Sequence, residues 1–576
     1  VRYRERAEQR RNTVLHQMLK AEYITEAEYA ENKALPLVLN FKTLDHKEGS
    51  ATYFSEFLRK YMTAKKPQRK NYPSWASTQY YIDSIAWEQD PLYGWCNKNV
   101  KKDGTNYNVY TDGLKIRTSI NYKMQKYAEE AVYKHVAKYL QPLFDKENKT
   151  KPNAPFTSQL TQKQINDILM RSMRQSERWR VMKEQGHTDE EIKQAFNKKT
   201  EMTVFSYHGN IDTLMSPIDS IRYYKSFLRA GFMSIDPKTG EVKAYVGGLN
   251  YHHFQYDMVM LGRRQIGSTI KPFLYSLAME NGFTPCDLAP NVQQTYNVAG
   301  QSWTPRNSSR ARYGENVTLK WGLQQSNNWI SAYLMSRLNP QQLVTLMQKF
   351  GIDSPDIHPS MALCLGPCDV SVGEMVSAYT TFANNGIRCA PLFVTRIEDN
   401  EGNVIADFQT RMTEVISQEG TYKMLDMLQA VIQGGTGSRL RYKFNIEGQI
   451  AGKTGTTNRN SDAWFMGITP ELVSGCWVGG EDRDIHFGSM TYGQGAAMAL
   501  PVWAYYMKKV YDDKSLGYST SATFDLPADF NPCNKMFQDV ILDESEAEKA
   551  IEILAAHGEK ASVIGRIVEG EGVTIK

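Results

Sequence analysis

The sequence contains no run of about eighteen apolar residues, so no segment of its 576 residues reads as a membrane-spanning helix. It has no basic-then-apolar leader of the secretory kind. The chain starts at Val1 rather than Met, and its first residues already carry amphipathic helical spacing at Val14, Leu15, Met18 and Leu19. It therefore reads as a piece of a longer protein, and the missing anchor says nothing about that parent. Low-complexity tracts are absent, as are RNA-binding signatures and basic stripes interleaved with aromatics, which argues against nucleic acid as a partner. Cysteine is sparse: Cys96, Cys286, Cys364, Cys368, Cys389, Cys476 and Cys533. Only Cys364 and Cys368 are close, and a lone C-x3-C lacks the second pair that a zinc site needs. An odd count leaves at least one thiol unpaired, so cysteine does not settle the redox compartment.

What is present is the composition of a globular protein, 41% hydrophobic and 23% charged, long enough for two to four domains. The net charge of +5 is uneven: residues 1–70 carry 15 Lys/Arg against 9 Asp/Glu, which leaves −1 for the rest. Such a basic start suits either anionic lipid headgroups or a solvated helix pair. Thr25-Glu-Ala-Glu28 is a capping box, the start of a helix. Gly113–Ile120 alternates as a strand does, a long helix is expected from Tyr122 to about Leu140, and residues 141–200 are polar and helical, like an insertion. Phe232–Ile235 and Val242–Val246 flank the turn Asp236-Pro-Lys-Thr-Gly240 and form a hairpin. Helical texture runs from Ser268 to about Asn385, and strands return at Gln449–Gly452, Ala463–Gly467 and Leu472–Val478. Two distant strand segments with helices between them predict an α+β fold built on an antiparallel sheet.

The chemistry concentrates in Arg264-Gln-Ile-Gly-Ser-Thr-Ile-Lys-Pro-Phe273. A glycine turn would start a helix at Ser268 and place Lys271 one turn later on the same face, where an unprotonated amine could take the hydroxyl proton. Ser326-Asn-Asn328 offers a hydroxyl for proton transfer and an amide to hold a substrate backbone. Lys453-Thr-Gly-Thr456 follows a strand whose glycine would let an extended peptide lie alongside, with Lys453, Thr454 and Thr456 meeting a carboxylate. Each of the last two motifs has a decoy: Ser119-Ile-Asn121 fits S-x-N and Lys238-Thr-Gly240 fits K-T-G. Only Ser268, Ser326 and Lys453 occur in the order S-x-x-K, S-x-N, K-T-G, at separations of 58 and 127 residues. Two further features are ambiguous from sequence alone. Tyr251-His-His253 reads as a surface loop rather than a metal site, and Trp303, Trp329 and Trp464 could wall a cleft or fill a core.

Over roughly residues 10–515 the chain resembles the class A, bifunctional penicillin-binding transpeptidases. Beyond the three motifs, Gly113–Asn121 with Gln125 and Ala128–Val132, Asp236–Gly248, Trp303-Thr-Pro-Arg-Asn307, Ala378–Gly386 and Asp462-Ala-Trp-Phe465 are similar to family signatures; Ile266 stands where many relatives have proline. Arg10–Leu15 with Met18, then Ile24-Thr25, resemble the tail of the family's glycosyltransferase domain, whose catalytic glutamates have no counterpart in this sequence. The expected organisation is a glycosyltransferase remnant in 1–45 and a linker region in 46–112. An N-terminal part of the transpeptidase region with a helical insertion follows in 113–230, then the transpeptidase core in 231–515 and a C-terminal tail in 516–576. Within that tail, Glu548–Leu554, Ala556-His-Gly558 and Val563–Ile567 resemble the C-terminal end of aminoimidazole ribotide synthetases, a stretch too short to carry that activity.

The resemblance implies a peptidoglycan D,D-transpeptidase whose antiparallel sheet is covered by helices on both faces. Ser268 would be the nucleophile, Lys271 its base and Ser326 the proton relay. Asn328, Lys453, Thr454 and Thr456 would bind substrate, and the backbone N–H groups of Ser268 and Thr456 would form the oxyanion hole. No metal or organic cofactor is implied. The implied partners are stem peptides ending in D-Ala-D-Ala, the lipid-linked precursor, β-lactam antibiotics and other cell-wall synthesis proteins. The implied location is the outer face of the bacterial cytoplasmic membrane, or the periplasm. A D,D-carboxypeptidase or β-lactamase that passes the acyl group to water, and a non-catalytic β-lactam sensor or scaffold, are the alternatives.

Overall fold

The computed structural model describes residues 4–36, 49, 51–298, 300–535 and 547–556. The chain divides into two compact units, residues 1–49 and 50–576. The first holds α1 (Arg4–Lys20) and α2 (Glu26–Ala34). Thr25 caps α2 by accepting from Glu28 N–H, while the Glu28 carboxylate accepts from Thr25 N–H at 2.8 Å, so the capping box is formed. Most of the stretch likened to aminoimidazole ribotide synthetases, from residue 557 on, lies outside the described residues; Ala547–Ala556 is helical.

In the second unit, part of the stretch expected as a linker packs into the core. In α3 (Thr52–Met62), Tyr53, Phe54, Phe57 and Leu58 recur at helical spacing and are all buried. Strand Lys115–Thr118 pairs antiparallel with Val394–Glu398, and the helix that follows, α4 (Tyr122–Val132), continues through a π-helical stretch at Tyr133–Leu140. Helices Gln162–Arg174, Glu177–Glu184 and Asp189–Asn197 build a small core of their own around Met173, Trp179, Ile192 and Phe196.

The central sheet has five antiparallel strands: β1 (Arg229–Ile235), β2 (Val242–Val246), β3 (Ala451–Thr456), β4 (Asp462–Ile468) and β5 (Val473–Gly479), in the order β3-β4-β5-β1-β2. β4 and β5 are buried at every residue, which is why they read as apolar runs rather than alternating strands. Between β2 and β3 the chain is largely helical, with α5 (Lys271–Glu280), α6 (Asn328–Ser336), α7 (Val372–Ala383) and α8 (Gln418–Gly434); α9 (Leu500–Asp512) follows β5. α9 covers one face, Tyr506 against Phe232 and Trp503 against Phe465. α7 covers the other, where Gly475 leaves room for Val376. The expected architecture, an antiparallel sheet with helices on both faces, is the one observed.

The two sheet edges are treated differently, and this positions the site. At the β2 edge, Gln125 of α4 donates to Tyr245 O and accepts from Tyr245 N–H at 2.8 and 2.7 Å, so the strand's polar groups are satisfied and covered. The β3 edge instead faces the turn that precedes α5. Residues beyond 516 run back over the core: Phe524 N–H donates to Gln449 Oε1, the Phe530 ring packs on Tyr422, and Cys533 forms a disulfide with Cys286.

Candidate active site

Ser268 lies in a single 3-10 turn, Gly267–Ile270, and Lys271 opens α5. The expected α-helical start is thus a tighter turn, whose three-residue period eclipses side chains i and i+3 and puts Ser268 and Lys271 on one side. Gly267 has φ +51, a conformation that favours glycine. A Cβ there would lie 3.0 Å from Thr456 O, so the turn sits directly against the β3 edge and brings the Ser268 and Thr456 backbones together. Several groups to which the sequence reading gave no supporting role hold the turn. Gly267 N–H donates to Gly366 O, Tyr379 Oη to Thr269 O, and Trp464 Nε1 to Gln265 O. Arg264 pairs with the fully buried Asp462 at 2.7 Å.

Gly366 is the tightest of these contacts. Its φ is +68, and a Cβ would collide with the carbonyl of Gly267. Gly366→Ala is expected to destabilise the domain by about 3 kcal/mol, from the left-handed backbone and the overpacking together. Denaturant titration would read that loss, and a change within about 0.5 kcal/mol would show that the turn yields freely.

Ser326 has φ +54, an uncommon conformation for a residue with a side chain. This conformation turns both its oxygens toward lysines. Lys271 Nζ donates to Ser326 O at 2.6 Å and to Asn328 Oδ1 at 2.7 Å, with Ser326 Oγ at 3.4 Å. Lys453 Nζ donates to Ser326 Oγ at 2.8 Å and to Thr454 O at 3.0 Å. Asn327, the middle residue of S-x-N, caps α6 by accepting from Trp329 and Ile330 N–H, and its own amide donates to Asn291. An Asn ahead of a helical run was the available sequence signal for that cap.

Lys271 and Lys453 are fully buried, and among the described residues no carboxylate pairs with either. Burial pushes Lys271 down to about 7. Lys453 is also held well below the usual lysine value, by burial first and then by the neighbouring charge of Lys271. Cys364, read from the sequence only as half of a weak metal motif, lies buried beside Lys271. Burial pushes its thiol up to about 12, so it offers no counter-charge. Two uncharged-favouring lysines joined through one serine can hold and pass protons near neutral pH.

The motif expected to follow a strand lies inside one: Lys453, Thr454 and Thr456 pair with Met466, Phe465 and Ala463. Strand alternation puts Thr454 and Thr456 on one face, away from Lys453. Thr454 Oγ1 shares a 2.6 Å hydrogen bond with Thr436 Oγ1, and Thr456 Oγ1 accepts from Gly495 N–H at 3.0 Å. The structure brings together Lys271, Ser326, Asn328 and Lys453. Ser268, three residues ahead of Lys271 on the turn, is half-buried, and its hydroxyl makes no side-chain hydrogen bond among the described residues.

The decoys are structural. Ser119 Oγ donates to Leu392 O and Asn121 caps α4, while Lys238-Thr-Gly240 is the β1–β2 turn. Trp464 is fully buried and Trp329 nearly so, with its indole on Pro305 O, so both belong to the core. Among the described residues no group of three His, Cys, Asp or Glu side chains could hold a metal, and no helix is long and apolar enough to cross a membrane.

Comparison with known proteins bears on the same region. Residues 151–228, which overlap the 141–200 stretch read from sequence as an insertion, match the penicillin-binding protein middle domain, and residues 230–474 match the penicillin-binding protein transpeptidase domain. Penicillin-binding protein 1A of Aquifex aeolicus is 29% identical over 522 residues, 88% of this chain and 63% of that protein. Penicillin-binding protein 1A of Neisseria meningitidis serogroup A is 32% identical over 289 residues, 49% of this chain and 36% of that protein. The chain thus spans less than two thirds of the length of these relatives. The crystal structure of penicillin-binding protein 1A from Haemophilus influenzae superposes with a TM-score of 0.58 at 21% identity, covering 91% of this chain and 78% of that one, a likeness of fold. Motif order, sheet topology and sequence similarity agree that residues 230–474 form a penicillin-binding-protein transpeptidase domain, in a chain that resembles the class A proteins named penicillin-binding protein 1A.

Proposed function

We propose that the chain is a serine D,D-transpeptidase that cross-links peptidoglycan. Ser268 Oγ attacks the penultimate D-Ala carbonyl of a stem peptide, the terminal D-alanine leaves as the amine, and an amine of a neighbouring stem then displaces Ser268 from the ester. β-Lactams acylate the same serine. The observation that carries this reading is one hydrogen-bonded network, Asn328–Lys271–Ser326–Lys453, lying beneath the turn that bears Ser268.

The network suits each step. A neutral amine has two N–H groups and one lone pair. The short contacts of Lys271 to Ser326 O and Asn328 Oδ1 occupy both N–H groups, and the lone pair is left for the Ser268 proton. Ser326 accepts from Lys453, so its own O–H is free to donate toward the leaving amine. The backbone N–H groups of Ser268 and Thr456, on abutting segments, receive the developing oxyanion; losing one such donor typically costs on the order of 3 kcal/mol of barrier. Since Lys453 is buried and committed to Ser326, the Thr454 and Thr456 hydroxyls are the groups of β3 that meet the substrate carboxylate. The reaction calls on no metal or organic cofactor. The Cys286–Cys533 disulfide supports an oxidising location outside the cytoplasm, where the lipid-linked precursor and its stem peptides are processed.

The test is intact-mass measurement after benzylpenicillin, with the adduct mapped by proteolysis. One adduct on the peptide containing Ser268, lasting many minutes, is expected. Loss of the adduct within seconds would make the chain a hydrolase, and no adduct would overturn the reading.

The depressed value of Lys271 sets a pH dependence. Acylation needs the neutral amine, so its rate should rise with pH through about 7 and level off above. Stability follows the same sign: between about 7 and the usual lysine value the unfolded chain binds more protons than the folded one, so this group favours folding increasingly as pH rises. A stopped-flow acylation profile flat from pH 6 to 8.5 would count against Lys271 as the base.

A further inference from the structure

The loop leading to the S-x-N helix is anchored residue by residue. Pro305 O accepts from Trp329 Nε1 at 3.1 Å, Arg306 O from Asn328 Nδ2 at 2.8 Å, and Asn307 Oδ1 from Asn328 N–H at 3.0 Å. The backbone at Arg306 is therefore fixed one hydrogen bond from the residue that also contacts Lys271. The Arg306 side chain is exposed, and among the described residues it makes no hydrogen bond or ion pair. Two cations further along the chain are paired: Arg312 with Glu315 and Lys320 with Asp426, both at 2.7 Å. Residues 303–315 carry Arg306, Arg310 and Arg312 against the single acid Glu315. Beyond the far end of β3, Arg459 is likewise exposed with φ +62 and no side-chain partner among the described residues. Arg306 and Arg459 thus present exposed guanidinium groups that no carboxylate pairs with among the described residues.

We infer that Arg306 is a specificity-determining residue, which pairs with a side-chain carboxylate of the donor peptide on the amino-terminal side of the scissile bond. The inference rests on the transpeptidase reading of the site. A guanidinium recognises a carboxylate by a two-point, charge-assisted hydrogen bond, gains at most a weaker neutral hydrogen bond from a carboxamide, and is repelled by an ammonium. In the transpeptidase reading Asn328 orients the donor backbone, and because Arg306 O accepts from Asn328 Nδ2, Arg306 adjoins the donor residues that pass Asn328.

The experiment uses two synthetic donor peptides ending in D-Ala-D-Ala, identical except that one upstream side chain carries a carboxylate in one and the matching carboxamide in the other. Release of D-alanine is followed for the wild-type chain and for Arg306→Gln, Arg306→Lys and Arg459→Gln. The wild type should favour the carboxylate donor by about fivefold in KM with kcat little changed, as fits a partly exposed ion pair. Arg306→Gln should erase the preference, Arg306→Lys should restore part of it, and Arg459→Gln should keep it. Equal KM values for the two donors in the wild type, or a preference retained in Arg306→Gln, would overturn the inference. Benzylpenicillin acylation of the wild type, run in parallel, tells the two readings apart: acylation without donor preference defeats only the Arg306 assignment, whereas no acylation defeats the transpeptidase reading beneath it.

Discussion

Ser268→Ala is expected to abolish covalent labelling by fluorescent penicillin while leaving the domain folded. The hydroxyl makes no side-chain hydrogen bond among the described residues, so its removal leaves no buried partner unsatisfied, and the stability change should stay within about 0.5 kcal/mol. Chemistry loses everything, because no other hydroxyl shares its position on the Gly267–Ile270 turn against the Thr456 backbone. Ser326, the other serine of the network, is held between Lys453 and Lys271. Denaturing gel fluorescence reads the result. Labelling of the variant at the wild-type rate would remove Ser268 as the nucleophile, and labelling mapped to Ser326 would reassign the two roles.

Lys271→Ala is expected to slow acylation by about a thousandfold, the range of a lost general base. The effect should appear in the acylation rate constant rather than in reversible binding, because Lys271 lies wholly below the cleft surface. The pH profile separates this role from a merely structural one. If Lys271 is the base, the rise through about 7 disappears in the variant along with the rate. If the variant merely disturbs Ser326 and Asn328, the rate falls but the profile keeps its shape. A drop of less than tenfold would place the base elsewhere, with Lys453 the nearest candidate through Ser326.

The elements that were legible in the sequence are those with local causes. The β1–β2 hairpin shows in its Asp-Pro-Lys-Thr-Gly turn, and the α2 cap shows in Thr25 and Glu28. β4 and β5 show in apolar runs, since a strand covered on both faces carries nothing else. The K-T-G strand was cut short at Gly452 because Lys453 and Gly455 break the apolar run of a buried strand, and pairing with Met466–Ala463 is what holds those residues extended. The 46–112 stretch read as a linker because its prolines and loops hide α3, whose buried aromatic face matters only once β2 is there to receive it.

For the site, the identities of Ser268, Lys271, Ser326, Asn328 and Lys453 came from the order of three short motifs, which a linear chain displays. The relations among them did not. Lys271 meets Ser326 across 55 residues and Lys453 meets it across 127, contacts that exist only when the sheet edge and the helical segments close on one turn. The supporting roles were silent in sequence for the same reason: Gly366, Tyr379, Thr436 and Cys364 take them only when folding sets them against Gly267, Thr269, Thr454 and Lys271. The sequence by itself determined which nucleophile, amines and hydroxyls are available and in what order. Only the tertiary structure decided their protonation, because a lysine's charge depends on the water it loses, and burial of Lys271 and Lys453 is a property of the packed molecule.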